Sequence, residues 1–165
     1  MSRAFVKEDA PEPDENPPEK PLSPHPNYVT PRGAQLLQDE EARLSAELAT
    51  LAGTQDDSAR RRRKRELERD LRYVRARLET AIPVDPANLP KDEIRFGARV
   101  VLKRDDGEAR TLRIVGEDES EQGGELVPWS GPFVQAQFGL KAGQSLDWDG
   151  GAGNERWTVV SVEYL

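Results

Sequence analysis

The fold is decided by residues 30–84, which read TPRGAQLLQDEEARLSAELATLAGTQDDSARRRRKRELERDLRYVRARLETAIPV. Leu37, Leu44 and Leu51 recur at heptad spacing, with Ala34 and Leu48 between them. A second apolar series with the same spacing follows a polar break and consists of Leu67, Leu71, Val74, Leu78 and Ala81. Two successive heptad series are typical of helices that pack along a shared apolar seam. The pattern predicts an antiparallel coiled-coil helical hairpin.

The ends of the first helix are marked by local signals. Thr30 can cap the free N–H groups of a helix, and Pro31 suits the first helical position because it has no N–H to satisfy. We therefore expect helix one to run to about Ala52 and to span roughly 33 Å. That length is too great for a small core to cover, so the hairpin should project, with its tip at residues 53–58.

The tip offers two adjacent carboxylates, Asp56 and Asp57. Carboxylate oxygens are hard ligands that suit Mg²⁺. Acidic residues are also favoured at the start of a helix by capping and by the helix dipole. The residues by themselves leave both interpretations open.

A run of six cations opens the return helix: Arg60, Arg61, Arg62, Arg63, Lys64 and Arg65. The seam positions in this run fall on Arg60 and Lys64, so the third of the hairpin nearest the tip should have little apolar contact. Most charge runs are solvated helix faces. Six consecutive cations are more than a solvated helix face requires. They favour contact with a polyanion such as RNA, or with an acidic channel.

Composition limits the remaining possibilities. The chain has 165 residues, no cysteine and a formal net charge of −7, which argues against indiscriminate nucleic-acid binding. No long apolar run or signal-like start is present, so we expect a cytoplasmic protein without membrane contact. Residues 1–27 hold 7 of the 13 prolines and predict a disordered leader, in which His25 is an exposed linker residue.

The rest of the chain predicts an α+β organisation. The hairpin occupies residues 28–83, a Pro-containing linker residues 84–93, and a β-rich domain residues 94–165. Strand-like patterns cover residues 94–102, 109–115, 126–129, 145–148 and 156–164, and a short helix is expected within residues 133–138. The sheet is predicted to be antiparallel. We expect Trp129, Trp148 and Trp157 to be core or near-core side chains rather than a platform for stacking bases.

Several segments in the same order resemble the Gre family (GreA/GreB) of bacterial transcript cleavage and elongation factors. They are Tyr28-Val29-Thr30-Pro31-Arg32-Gly33, Ile94-Arg95-Phe96-Gly97-Ala98-Arg99-Val100, Arg113-Ile114-Val115-Gly116-Glu117-Asp118-Glu119, the spaced Pro132, Ala136, Gly139 and Gly143, and Val159 to Tyr164. The resemblance covers Tyr28 to Tyr164. It implies an N-terminal coiled-coil hairpin and a C-terminal FKBP-like domain with one short helix.

The resemblance also implies a function. In the family, the C-terminal domain docks on RNA polymerase, and the coil enters the secondary channel. Acidic tip residues then help to hold Mg²⁺ in the polymerase's own active site. Asp56 and Asp57 would be the metal-directed pair, and the basic run would face nascent RNA or the channel. The protein would be a monomeric accessory factor with no catalytic residues of its own and no stably bound cofactor.

This sequence departs from the family pattern at the tip. Members with cleavage activity typically carry an Asp and a Glu three residues apart, whereas Asp56 and Asp57 are adjacent and the arms are shorter. Three functions are therefore open: a factor that stimulates RNA cleavage, a cleavage-deficient Rnk-like or anti-Gre regulator of polymerase or another partner, and a peptidyl-prolyl isomerase. The isomerase hypothesis rests only on the expected FKBP-like fold, and a fold by itself does not determine catalytic activity.

Overall fold

A computed structural model describes residues 16–164 of the chain. Helix α1 spans Pro31–Ala52 and helix α2 spans Ser58–Glu79. Thr30 caps α1 by accepting a hydrogen bond from the Gly33 N–H, which confirms the predicted start. The two helices pack through a buried seam whose members are Leu37, Leu44, Leu67, Leu71 and Val74. The predicted helical hairpin is confirmed.

Two short strands close the base of the hairpin. Strand β1, Tyr28–Val29, pairs in parallel with β2, Ile82–Pro83. The Ile82 N–H donates to the Asn27 carbonyl at 2.8 Å, and the Val84 N–H donates to the Val29 carbonyl at 3.0 Å. The chain therefore enters and leaves the hairpin side by side. This pairing was not predicted from the sequence.

The second half of the chain forms a five-stranded sheet. Its strands are β3 (Ala98–Arg104), β4 (Ala109–Val115), β5 (Leu126–Pro128), β6 (Ser145–Asp149) and β7 (Asn154–Tyr164), in the order β5-β4-β3-β7-β6. Every pair is antiparallel except β4–β5, so the prediction of a wholly antiparallel sheet is wrong at this edge. A parallel neighbour needs a crossover connection, and residues 116–125 supply it.

Short helical segments lie beside the sheet. The crossover contains helix α3, Glu117–Ser120, which the strand and turn patterns did not predict. Helix α4, Pro132–Gln135, corresponds to the predicted short helix but begins and ends earlier. A 3₁₀ turn, Pro86–Asn88, interrupts the linker. The α+β class is confirmed, with two short helices in the second half rather than one.

The sheet core is built around Trp157, which is fully buried together with Ile94, Val100 and Leu102. Trp129 and Trp148 are partly buried against the same core. The predicted core role of the tryptophans is confirmed. A fully buried Trp157 cannot contact a bound proline peptide or a base, so nothing in this core favours the isomerase hypothesis. Among the described residues, no helix has the length and apolarity needed to cross a membrane.

Candidate functional site

The tip of the hairpin lies between the last residue of α1 and the first of α2. Asp57 is the N-cap of α2, and its side chain accepts a hydrogen bond from the Arg60 N–H at 2.8 Å. A capping carboxylate satisfies an N–H group that has no partner within the helix. The structure therefore gives Asp57 a role in holding the tip together.

Asp56 is the second exposed carboxylate of the tip. Its side chain is 63% exposed, and one oxygen lies 3.1 Å from Arg60 Nη1 and 3.4 Å from Arg61 Nη1. Exposed ion pairs of this kind are worth at most about 1 kcal/mol. Asp56 can therefore exchange these arginines for another cation at little cost.

Arg60 closes the other side of the tip. Its Nε donates to the Leu51 carbonyl at 2.9 Å, and its Nη2 donates to the Ala52 carbonyl at 3.4 Å. These carbonyls belong to the last turn of α1, and the Leu51 carbonyl also accepts from the Thr54 N–H at 3.1 Å and from Thr54 Oγ1 at 2.7 Å. Arg60 is thus a structural residue of the tip as well as a member of the basic run.

The seam is incomplete near the tip, as the sequence predicted. Arg60 and Lys64 occupy positions facing Leu48, Leu51 and Ala52, and together these residues line a cavity of ≈ 120 Å³. An apolar side chain at either position would fill this space. The charged residues leave the last turns of the hairpin held mainly by hydrogen bonds and ion pairs.

Much of the basic run is paired within the hairpin. Arg63 bridges the two helices by an ion pair to Glu47 at 2.7 Å, and it also lies 3.3 Å from Glu66. The hydrogen bond to Glu47 raises the pKa of Arg63. Arg62 is 80% exposed and lies 3.3 Å from the same Glu66. Lys64 lies 3.7 Å from Glu68, and Arg65 also makes contacts. These carboxylates reduce the positive potential that the sequence alone suggests.

The tip carries two carboxylates that could serve as oxygen ligands for a metal ion. Asp56 and Asp57 are the only carboxylates of residues 53–58, and among the described residues no group of three or more His, Cys, Asp or Glu could hold a metal ion. Mg²⁺ demands near-octahedral oxygen coordination. Two carboxylates, one of them engaged as a cap, can contribute ligands to an ion whose other ligands come from another molecule.

A second polar cluster joins the hairpin to the sheet domain. Arg77, 3% exposed, donates from Nε to Asp118 Oδ2 at 2.7 Å. The Tyr73 hydroxyl donates to Asp118 Oδ1 at 2.6 Å. Burial, together with this hydrogen bond and the Asp118 charge, raises the pKa of Tyr73. Thr30 donates to the buried Glu119 on the neighbouring position of α3. These contacts fix the direction of the hairpin relative to the sheet.

The described part of the leader also reaches this junction. His25 Nδ1 lies 2.9 Å from Glu117 Oε1, which also accepts a hydrogen bond from Ser130 Oγ at 2.6 Å. Burial acts to raise the pKa of Glu117, but hydrogen bonds from Ser130, Ser23 and His25 outweigh it and lower the pKa. The His25 ring also packs edge-on against Trp129. His25 is exposed as predicted, but it is not merely a linker residue.

Residues 16–27 belong to the segment expected to be a disordered leader, and they make ion pairs with the hairpin. Glu19 pairs with Arg72, and Lys20 lies 3.1 Å from Asp70, so this segment runs along α2. Such long-range ion pairs are not visible in a proline-rich composition. The prediction for residues 1–15 lies outside the described residues.

The junction contacts involve the first turn of α1 and the last two turns of α2. From Tyr73 to Asp57, α2 continues for about 24 Å beyond the junction. Ion pairs of this outer part such as Arg63–Glu47 lie within the hairpin, whereas Asp70 and Arg72, next to the junction, pair with Lys20 and Glu19. The geometry is that of a narrow rod with an exposed carboxylate at its end.

Comparison with known proteins gives consistent similarities. A family model described as "Transcription elongation factor, GreA/GreB, C-term" matches residues 89–164. Transcription elongation factor GreB of Neisseria meningitidis serogroup B is 34% identical over 154 residues, covering 84% of this chain and 94% of that protein. Transcription elongation factor GreA of Zymomonas mobilis is 25% identical, covering 81% of this chain and 92% of that protein. A solved structure of a GreA/GreB factor from Nitrosomonas europaea is 23% identical and has a TM-score of 0.42. The match covers 84% of this chain and 99% of that one.

The alignment with the Neisseria protein contains gaps in this chain. Its 84% coverage of 165 residues corresponds to about 139 residues, fewer than the 154 aligned positions. The relative therefore has residues with no counterpart here.

Proposed function

Because the chain belongs to the GreA/GreB family of transcription elongation factors, we propose that it binds bacterial RNA polymerase and modulates elongation by placing its helical hairpin in the secondary channel. The observation that carries this proposal is the projecting hairpin, which ends in the exposed Asp56. A rod two helices wide can enter a channel that a globular domain cannot. The sheet domain would dock on the polymerase surface, and the junction at Asp118 would set the angle of entry.

At the tip, the two aspartates would have different tasks. Asp57 keeps the first turn of α2 in place through its capping bond. Asp56 would release Arg60 and Arg61 and offer its carboxylate to the polymerase active site. A Mg²⁺ ion bound there supplies Lewis-acid activation of a water for attack on a backtracked RNA phosphodiester. The factor would then stimulate cleavage by polymerase without being an enzyme itself.

The basic run would act beside the tip. Arg61 and Arg62 are the exposed arginines nearest Asp56, and their ion pairs are solvent-exposed. RNA phosphates could replace these carboxylates as partners. We expect such contacts to retain extruded RNA near the tip and to weaken as the salt concentration rises.

A cleavage-deficient regulator is the second candidate. It is favoured by the use of Asp57 as a helix cap, which engages one of the two tip carboxylates with the Arg60 N–H where the family pattern has a spaced pair. Such a protein would occupy the channel and exclude other factors without promoting cleavage.

Transcript cleavage on a backtracked elongation complex tests the proposal. The informative variants are Asp56→Asn and Asp57→Ser at matched polymerase occupancy. Serine caps a helix about as well as aspartate does, so Asp57→Ser removes the carboxylate and keeps the cap. Asp39→Asn, in an exposed part of α1, is the control.

If Asp56 is a metal-directed ligand, Asp56→Asn should lower the cleavage rate by at least about tenfold, whereas Asp39→Asn should not. If Asp57→Ser also lowers the cleavage rate, both carboxylates would be assigned as metal ligands. If the unaltered protein competes with a longer GreB factor for polymerase and yet releases no RNA fragment, the regulator is correct. Failure to bind core polymerase at physiological salt would refute both.

A further inference from the structure

Nearly all the described cations have partners within the chain. Among residues 16–164, all but four of the lysines and arginines make a side-chain hydrogen bond, an ion pair or a ring contact. The four are Arg32, Lys91, Lys103 and Arg113. Three of them, Arg32, Lys91 and Arg113, line one cavity. In a chain of net charge −7, a concentration of unpaired cations around a single cavity points to recognition of an anion.

The cavity lies between the hairpin and the sheet domain and has a volume of ≈ 410 Å³. This volume is within the usual range for small-molecule sites. The cations come from three different elements: Arg32 from the start of α1, Lys91 from the linker and Arg113 from β4. The fold therefore brings together charges that are distant in the sequence.

The carboxylates near the cavity are already engaged. Asp85 lines it, but its oxygens accept hydrogen bonds from the Ala87 N–H at 2.9 Å and from Asn88 Nδ2 at 3.3 Å. Arg99 stands opposite Arg113 across the β3–β4 pair, and it takes Glu125 and Glu163 as its partners. Arg113 therefore has no carboxylate partner of its own in the described part of the chain. The side chains that line the cavity carry three positive charges and one negative charge.

We propose that this cavity binds a small molecule carrying two or more phosphate groups. The planar guanidinium groups of Arg32 and Arg113 can each bind two phosphate oxygens, and Lys91 adds a third positive charge. Pro31, Pro86 and Tyr164 provide apolar lining for an organic part of the ligand. The limited volume of ≈ 410 Å³ favours a small molecule over a continuous RNA strand. The site is separate from the tip and does not depend on the proposed function.

Isothermal titration of the full chain, without polymerase, tests this site. The probes are inorganic pyrophosphate, a nucleoside diphosphate and citrate. The variants are Arg32→Gln and Arg113→Gln, with the charge-retaining Arg113→Lys to separate loss of charge from loss of folding. Lys103→Gln is the matched control, because Lys103 is also unpaired but lies outside the cavity on β3.

We expect saturable binding of both phosphate probes, a Kd raised at least about tenfold by either glutamine variant, and a change of less than about twofold in Lys103→Gln. Arg113→Lys should retain part of the affinity. Tighter binding of the nucleoside diphosphate than of pyrophosphate would show that the apolar lining contributes. Absence of saturable binding, equal affinity for citrate, or equal weakening by Lys103→Gln would overturn the proposal. None of these outcomes bears on polymerase binding.

Discussion

Replacing Arg77 should destabilise the protein far more than replacing another arginine two residues earlier. The Arg77 side chain is 4% exposed and pairs with Asp118 at 2.7 Å. Removing one partner of a buried pair costs about 3–5 kcal/mol, because the remaining charge is left buried without compensation. Asp118 is 18% exposed and keeps its hydrogen bond from Tyr73, so we expect about 3 kcal/mol for Arg77→Gln.

Arg75 provides the matched control on the same helix. It pairs with Glu41 at 2.8 Å, but its side chain is 59% exposed. Arg75→Gln should therefore cost no more than about 1 kcal/mol. Urea unfolding of both variants, followed by far-ultraviolet circular dichroism, measures the difference. A free energy of unfolding that differs by less than about 0.5 kcal/mol between the two variants would refute the assignment of Arg77 as a buried junction residue.

A double-mutant cycle shows whether the junction acts as a unit. Arg77 and Tyr73 donate to different oxygens of the same carboxylate. Groups that share a hydrogen-bond network couple by about 0.5–3 kcal/mol. We expect coupling in this range between Arg77→Gln and Tyr73→Phe. Strictly additive effects would show that the two contacts are independent.

Three further predictions concern packing and pH. Lys64→Leu should fill part of the ≈ 120 Å³ tip cavity and raise the free energy of unfolding by about 1 kcal/mol; a lower urea midpoint would contradict this. Gly116→Ala should cost about 1–3 kcal/mol, because its Cβ would lie 2.5 Å from the Tyr28 carbonyl oxygen. In the control Gly150→Ala, the nearest atom is 3.7 Å away, so stability should change little. Because the pKa of Glu117 is lowered in the folded protein, its contribution is present above the ordinary value of 4.5 and is lost as pH falls below it. Glu117→Gln should therefore flatten the acid side of a stability–pH curve, and an unchanged slope would count against the hydrogen bonds of this carboxylate.

The parts of the fold that could be predicted are those set by neighbouring residues. Thr30-Pro31 fixes a helix start within one turn, and the heptad leucines fix which face of each helix is buried. The residue types also account for the turn Asp105-Asp106-Gly107 between β3 and β4, because Gly107 has a φ of 96°, which glycine adopts readily. The position of the tip could be predicted for the same reason. The different hydrogen-bond partners of Asp56 and Asp57 could not be predicted.

The junction and the cavity could not be predicted, because their partners are far apart in sequence. Arg77 looks like any other member of a basic helix, and its partner Asp118 is 41 residues away. The available signal is the acidic segment Glu117–Glu119, which follows the buried Ile114 and Val115, but sequence alone does not show which cation it contacts. The pairing of Arg63 with Glu47 likewise depends on the register of the two helices.

The parallel pair at the base of the hairpin has a consequence for how this architecture can vary. Since β1 and β2 hold the incoming and outgoing chains at neighbouring positions, the hairpin is attached at one point whatever its length. Seven residues added to each arm would preserve the heptad seam and move the tip outward by about 10 Å. The contacts of Arg77 and Thr30 with the sheet domain would not change. Reach can therefore be altered by insertion or deletion of whole heptads without rebuilding the junction, which makes arm length and docking geometry independent of each other.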